Sequence, residues 1–237
     1  MNIVETVKSV VSPPHKAGYP FILGGLALAV LGLFVWIPLA WIGILFTLFC
    51  LYFFRDPERV LPPRAGVFVA PADGLVVSVE LAVPPAELGL SSEPRTRVAI
   101  FLSVLDVHVN RAPIAGTVLK IAYHAGLFLS AADEKASDEN ERNALLLRLP
   151  TGEDVVVVQI AGLIARRILC EVREGQVLAA GERFGIIRFG SRTDLYLPAG
   201  CIPLVAVGQR MIGGETVIAE LAHTSVAAAV IELPLTP

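Results

Sequence analysis

Thirty-eight consecutive residues, 17–54, contain no Asp, Glu, Lys, Arg or His. A helix needs about 20 apolar residues to cross a ~30 Å hydrocarbon core, so the run is roughly twice what one pass requires. At ~1.5 Å per residue a single straight helix would be about 57 Å long. Pro38 stands near the middle, where a missing N–H favours a break. The run therefore reads as a helical hairpin, with Trp36 and Trp41 placed as interfacial rings at its turn. Lys8 and Lys16 precede it and Arg55, Arg59 and Arg64 follow it. Equal positive flanks predict both ends on the cytoplasmic side, with 1–16 as an N-terminal cytoplasmic segment and 55–237 carried on the same side. Arms of about 16–20 residues fit either a short spanning hairpin or a re-entrant one. A cleaved signal peptide fits worse, because its apolar region is 7–15 residues and the one small-residue triplet, Ala27-Leu28-Ala29, lies inside the run.

The rest of the composition removes whole classes. With 54% hydrophobic and 17% charged residues over 237 positions, the chain is too apolar to be disordered. A net charge of −3 with no basic run offers no counterion-release surface for nucleic acid. Cys50, Cys170 and Cys201 are three scattered thiols that fit neither a disulfide framework nor a zinc knuckle. The histidines show no ligand spacing, so no metal site is expected.

After Arg55 short Val/Ile/Leu runs alternate with Gly and Pro, at 67–70, 75–81, 97–104, 116–123, 144–149 and 154–160. This predicts a mainly β domain. Gly175-Gln176 followed by Gly181-Glu182 is echoed 33 residues later by Gly208-Gln209 and Gly214-Glu215, and Ala65–Val79 has a similar flavour. Such corners belong to lipoyl-like half-barrel sandwiches, although no lysine occupies the turn where a lipoyl or biotinyl group would attach. The polar stretch Asp133–Asn143 reads as a solvated loop or one helical turn.

Three residues could carry chemistry. Ser191 follows Gly190 between two apolar runs, without the Gly-x-Ser-x-Gly spacing of a nucleophile elbow. His108 and Asp106 share a predicted strand face with Leu102 and Val104, and two ionisable groups on an apolar face need partners. Asp73 precedes Gly74 in Pro71-Ala-Asp-Gly, a turn pattern when taken alone.

Arg55-Asp56-Pro57 after the apolar run, Pro71-Ala-Asp-Gly74, Phe101-Leu-Ser with Asp106-Val-His, Asn140-Glu-Arg-Asn143 and Phe189-Gly-Ser191 occur together and in order. In this the chain resembles the short bacterial-type phosphatidylserine decarboxylase proenzymes. The resemblance implies self-cleavage between Gly190 and Ser191, giving a β chain 1–190 and an α chain 191–237 whose first residue becomes a pyruvoyl group. It implies assistance from Asp73 and His108, a Schiff base between the pyruvoyl ketone and the serine headgroup amine, loss of CO₂, and release of phosphatidylethanolamine at the membrane. A homodimer is a further family-level expectation. Longer members show His-x-x-His on the histidine strand, whereas here the second position is Arg111, whose guanidinium is no base at neutral pH. Arg55, Arg59, Arg188 and Arg192 are candidates for the phosphodiester, against simple surface or anchoring charge. Two rival readings are a membrane-anchored lipoyl-like adaptor without catalysis and a hydrolase using Ser191 as a standing nucleophile.

Overall fold

The computed structural model describes residues 12–126, 140–162, 167–188 and 191–221. The uncharged run folds as two helices, α1 (Tyr19–Val35) and α2 (Ile37–Phe53). The break falls at Trp36, in extended conformation, rather than at Pro38. Pro38 instead occupies the first turn of α2, as Pro20 does in α1, where a missing N–H sacrifices no helical bond. Lys16–Val35, which adds the 3₁₀ turn Lys16–Gly18, is long and apolar enough to cross a membrane; α2 is shorter.

Residue size pairs the helices. Ile22, Gly25, Ala29 and Gly32 of α1 are buried, as are Ala40, Gly43, Thr47, Cys50 and Phe53 of α2, at spacings of three and four. A methyl on Gly32 would run into the Ala40 backbone, and one on Gly43 into the Ala29 backbone. This is the small-residue seam by which apolar helices approach when hydrophobicity alone cannot orient them. The outward faces expose Leu23, Val30, Phe34, Trp41 and Leu45. The feet of the hairpin are joined by a bridge between Pro14 and Arg55 and by bonds from His15 N to Phe54 O (2.6 Å) and from Asp56 N to Pro13 O (2.9 Å).

Thirteen strands follow: β1 (Val67–Val69), β2 (Gly74–Ala82), β3 (Arg95–Leu102), β4 (Val109–Arg111), β5 (Gly116–His124), β6 (Arg142–Arg148), β7 (Asp154–Ala161), β8 (Arg167–Cys170), β9 (Val177–Leu178), β10 (Arg183–Arg188), β11 (Ser191–Tyr196), β12 (Arg210–Met211) and β13 (Val217–Glu220). A curled eight-stranded sheet has the order β12-β2-β3-β11-β7-β6-β5-β9, accompanied by β1-β13 and β4-β10-β8. The predicted β-rich half-barrel with an apolar helix pair is what forms.

The order is that of two related halves meeting between β11 and β7. β2 and β5 both open on a glycine and both shift register after the third residue, between Val76 and Ser78 and between Val118 and Lys120. Each pairs at its start with a two-residue strand, β12 or β9. The near-repeat supplies those strands. Gly208 and Gly175, at φ 90 and 82, donate to Val76 O and Val118 O, while Gln209 and Gln176 accept from the amide three residues earlier. One face of the sheet carries the main core, with Val98, Ile100, Leu145, Val157 and Leu195 among its members. The other face buries Ala144, Leu146, Val156, Val158 and Tyr196 beneath Leu88.

The expectation of a continuous strand through 97–104 and on to His108 is corrected. β3 stops at Leu102 because Ser103 and Asp106 close a turn: Ser103 N and Oγ both donate to Asp106 Oδ2 (2.9 and 2.7 Å), and Asp106 N donates to Ser103 O. Of the polar stretch 133–143, residues 133–139 lie outside the described residues. The remainder is not a solvated loop, since Asn140 and Asn143 are buried and β6 begins at Arg142.

Candidate active site

Ser191 is the first residue of β11, held between Leu102 of β3 and Ala161 of β7. It is fully buried, and its Oγ has no hydrogen-bond partner among the described residues. A buried polar group left unbonded costs about 1–3 kcal/mol, so a fold that keeps one needs a reason. Gly190, the other half of the expected cleavage site, lies outside the described residues. Alternation along β11 puts Ser191, Thr193 and Leu195 on the core face and Arg192, Asp194 and Tyr196 on the opposite one.

Buried amides frame the serine. Asn140 Nδ2 donates to the carbonyl of Ala161, Ser191's cross-strand neighbour, at 2.8 Å. Two residues along, Asn143 Nδ2 donates to Gln159 Oε1 (3.0 Å), Gln159 Nε2 to Asn110 Oδ1 (2.7 Å) and Asn110 Nδ2 to Thr193 Oγ1 (3.3 Å). All four are buried. The chain of bonds fastens β4, which follows His108, to the serine strand, and a satisfied buried network of this kind fixes one arrangement.

His108 precedes β4 and is fully buried. Its carbonyl accepts from Ile187 N at 3.3 Å, and Ile187 packs with Ala161 and Ile168 in one small cluster. The histidine thus stands opposite a residue four before Ser191 that touches Ser191's neighbour. Its Nδ1 lies 3.0 Å from Asp106 O; a carbonyl can only accept, so Nδ1 carries the proton and Nε2 keeps its lone pair. Burial, opposed by Asp106 and reinforced by Arg55, pushes the imidazole pKa down to about 4. It is neutral at pH 7.

Asp73 stands just before Gly74, at the same end of the sheet. Register carries that end from β2 through Phe101 and Leu102 to Arg192 and Ser191, two interstrand spacings or roughly 10 Å away. Arg59 Nη2 reaches both carboxylate oxygens (2.9 and 2.7 Å) and Gly213 N donates to Oδ1 (2.7 Å). Burial nonetheless raises its pKa, outweighing Arg59 and the Gly213 amide. The two halves of the fold differ here. The position before the opening glycine is Asp73 in one half and Ala115 in the other; the carbonyl that accepts from the facing strand belongs to His108 in one and to Gly66 in the other. Both candidates thus sit where the repeat departs from itself.

Arg111 is no stand-in for a second histidine. Its guanidinium donates to Gly181 O (3.0 Å), Pro57 O (2.8 Å) and Asp56 Oδ1 (3.2 Å), and Asp56 also receives Arg183 Nε (2.8 and 2.7 Å). The Arg-Asp-Pro phrase is therefore a clamp between the hairpin and the β domain. Of the phosphodiester candidates, Arg55 is bonded to Tyr52 O and Leu105 O, Arg59 to Asp73, and Arg192 to Asp194 on the face away from Ser191. Arg188 lies over the Phe21 ring, 5.6 Å from its centroid. Reading the sequence did not single out the Asn140 and Asn143 contacts individually, although their shared phrase with Arg142 was the available signal. Nor did it find Phe53, whose ring packs against His108 at a 34° tilt.

A duplicated β framework that buries a serine hydroxyl and a neutral imidazole is the build of a catalytic domain with an enclosed site, and the relatives of the chain are enzymes. Residues 46–219 match the family model described as phosphatidylserine decarboxylase. The chain is 66% identical over 221 residues to the phosphatidylserine decarboxylase proenzyme of Granulibacter bethesdensis, covering 93% of this chain and 91% of that one. It is 60% identical over 225 residues to that of Gluconobacter oxydans (93% and 100% covered) and 55% identical over 221 residues to that of Cereibacter sphaeroides (93% and 95%). The chain belongs to the phosphatidylserine decarboxylase family.

Proposed function

We propose that this enzyme converts phosphatidylserine to phosphatidylethanolamine at a membrane surface, after cutting itself between Gly190 and Ser191. The observation that carries this reading is the buried Ser191 hydroxyl, which has no hydrogen-bond partner among the described residues. Its oxygen attacks the Gly190 carbonyl, the C–N bond to Ser191 breaks, and an ester replaces the amide. Loss of the Ser191 Cα proton expels the Gly190 carboxylate; water then hydrolyses the dehydroalanine to a ketone, releasing ammonia. Removal of the hydroxyl proton falls to Nε2 of His108, the lone-pair nitrogen of a neutral imidazole. Asp73, fixed by Arg59, is the second carboxylate-bearing partner.

The residues fit a pyruvoyl group at position 191, because β11 stays paired along its whole length to β3 and β7 when the chain is cut before it. Such a group supplies an electrophilic carbonyl and an electron sink for decarboxylation. His108 Nε2 then carries the proton that replaces CO₂ on the headgroup carbon. The hairpin holds the site at headgroup depth, since a two-chain lipid barely leaves the bilayer. Its positive flanks support a cytoplasmic side for residues 55–237.

Denaturing electrophoresis with intact-mass measurement tests the reading. The expected fragments are 190 and 47 residues of the 237, the smaller with a carbonyl at its first residue. Ser191→Ala is expected to remain one chain and to release no CO₂ from phosphatidylserine. A single unmodified chain that is active overturns it.

A further inference from the structure

Two arginines face each other at the foot of the hairpin. Arg188, the last residue of β10, is the register partner of Arg167, the first of β8. Directly opposed side chains stand about 4.5–5.5 Å apart at Cβ, and like charges there are destabilising. Among the described residues, neither guanidinium has an ion pair or a hydrogen bond. Glu141 Oε1 accepts from Ile168 N at 3.5 Å. The adjoining sequence, Leu163-Ile-Ala-Arg166 and Phe189-Gly190, adds no acid and one more arginine.

The pair also has a direction. Ile186 and Leu169, two residues from Arg188 and Arg167, pack against Phe21, Ile22, Phe53 and Phe54 at the hairpin base. Alternation places both arginines on that face, and the Arg188 guanidinium over Phe21 agrees. Arg188 adjoins Ile187, whose amide is bonded to the His108 carbonyl. Its pKa is lowered by burial first and by Arg167 second, and a bound anion relieves both.

We infer that Arg167 and Arg188 form the subsite for the phosphodiester of the lipid headgroup. The inference rests on the proposed reaction, in which that group is common to substrate and product. Paired guanidinium forks match the oxygens of a phosphodiester, and the foot of a membrane-inserted hairpin is where lipid phosphates lie. A group unchanged by the reaction contributes equally to ground and transition states, so its loss raises KM and leaves kcat alone.

The test uses full-length protein in nonionic detergent micelles, with Arg167→Gln, Arg188→Gln and Arg188→Lys. Both glutamine variants are expected to cleave themselves normally and to show a KM for phosphatidylserine about tenfold higher, with kcat within about twofold. Arg188→Lys recovers only part of the loss, because an ammonium lacks the fork. Thermal stability is expected to hold or rise, since a like-charge contact is removed; a merely structural arginine would lower it. Calorimetric binding of a short-chain phosphatidylglycerol, which has the phosphodiester but neither amine nor carboxylate, should weaken by the same factor. Unchanged KM and unchanged phosphatidylglycerol binding overturn the subsite, as does a loss seen only on anionic vesicles, which would mark diffuse surface attraction. The binding arm needs no turnover. Wild-type protein that binds phosphatidylglycerol through these arginines but releases no CO₂ from phosphatidylserine therefore overturns the reaction proposed above, not the subsite.

Discussion

Phe53, the last residue of α2, lies against the imidazole of His108 with ring centroids 4.3 Å apart. Phe54 meets Phe53 edge-on at 5.0 Å, and Phe21 of α1 stacks on Phe54 at 5.4 Å. A short aromatic row therefore runs from the hairpin to the candidate base, and the apolar helices form one wall of the candidate site. It is this wall that desolvates His108. Phe53→Ala opens it: the variant is expected to lose about 3–5 kcal/mol of stability and to move the acidic limb of the CO₂-release profile toward the ordinary imidazole range. Phe53→Leu, which keeps the side chain apolar, is expected to retain most of the shift. A pH–rate profile that is the same in both would separate the ring from the histidine.

The depressed pKa of His108 has a consequence for folding. The unfolded chain binds the proton near pH 6.5, whereas the folded one refuses it until about pH 4. Between those values the unfolded state holds more protons, so stability rises with pH. The contribution is complete above pH 6.5 and is lost as pH falls toward 4, amounting to about 3 kcal/mol over that window. Asp73, with its raised pKa, works with the opposite sign, its share being lost as pH rises through the carboxylate range. Denaturant titrations at pH 7 and pH 4.5 are expected to show a smaller drop for His108→Gln than for the parent protein; an equal drop would mean that His108 is not the group responsible.

Much of this was legible in the residues because it depends on local pattern. The uncharged run, the Gly-Gln echo and the β-rich punctuation each report a backbone requirement that only certain side chains meet: no charge in lipid, φ above zero at Gly175 and Gly208, apolar runs in buried strands. What was misread turned on side-chain bonds and helix-end geometry that an alternation or polarity pattern does not report. The run to His108 alternates like a strand, but Ser103 and Asp106 find each other and end β3 at Leu102. Pro38 looked like the hairpin break, yet a proline is also a good first-turn residue, and the helices end where Trp36 goes extended. The polarity of Asn140 and Asn143 suggested solvent, while their amides are satisfied by Ala161 and Gln159 inside the sheet. Polarity alone does not say whether a partner waits in the core.

The hairpin seam makes a size prediction. Hydrophobicity is nearly uniform around α1 and α2, so the contact is selected by Gly25, Ala29, Gly32, Ala40 and Gly43. Gly43→Leu forces a branched side chain into the Ala29 backbone and is expected to separate the helices. Thermal unfolding of Gly43→Leu in detergent is expected well below that of the parent. Gly24→Leu, at a position with open space around it, serves as the comparison and should unfold with the parent; equal loss in both would mean that residue size at the seam does not pair the helices.

Arg111 stands where the resemblance raised the question of a second histidine, three residues after His108, and its contacts say what it does. Its guanidinium is buried and bonded to Asp56, Pro57 O and Gly181 O, and burial followed by Arg183 pulls its pKa down. It remains a cation above neutral pH, tying the segment that joins the hairpin to the β domain, at Asp56 and Pro57, to the Gly181 carbonyl before β10. Removing it leaves Asp56 still satisfied by Arg183, whereas removing Asp56 takes a carboxylate from two guanidiniums at once, leaving Arg111 on Pro57 O and Gly181 O and Arg183 on Glu58. Asp56→Asn should therefore lower stability by about 1–3 kcal/mol and Arg111→Gln by less. Self-cleavage of folded Arg111→Gln, followed by electrophoresis after in vitro synthesis, is expected at a rate within about threefold of the parent. With His108 as the proposed proton acceptor, His108→Ala should slow the same cleavage by a hundredfold or more. An Arg111→Gln protein that keeps its fold by circular dichroism yet stays uncut would show the guanidinium taking part in the cut itself, and would move the processing machinery from the histidine turn to the clamp.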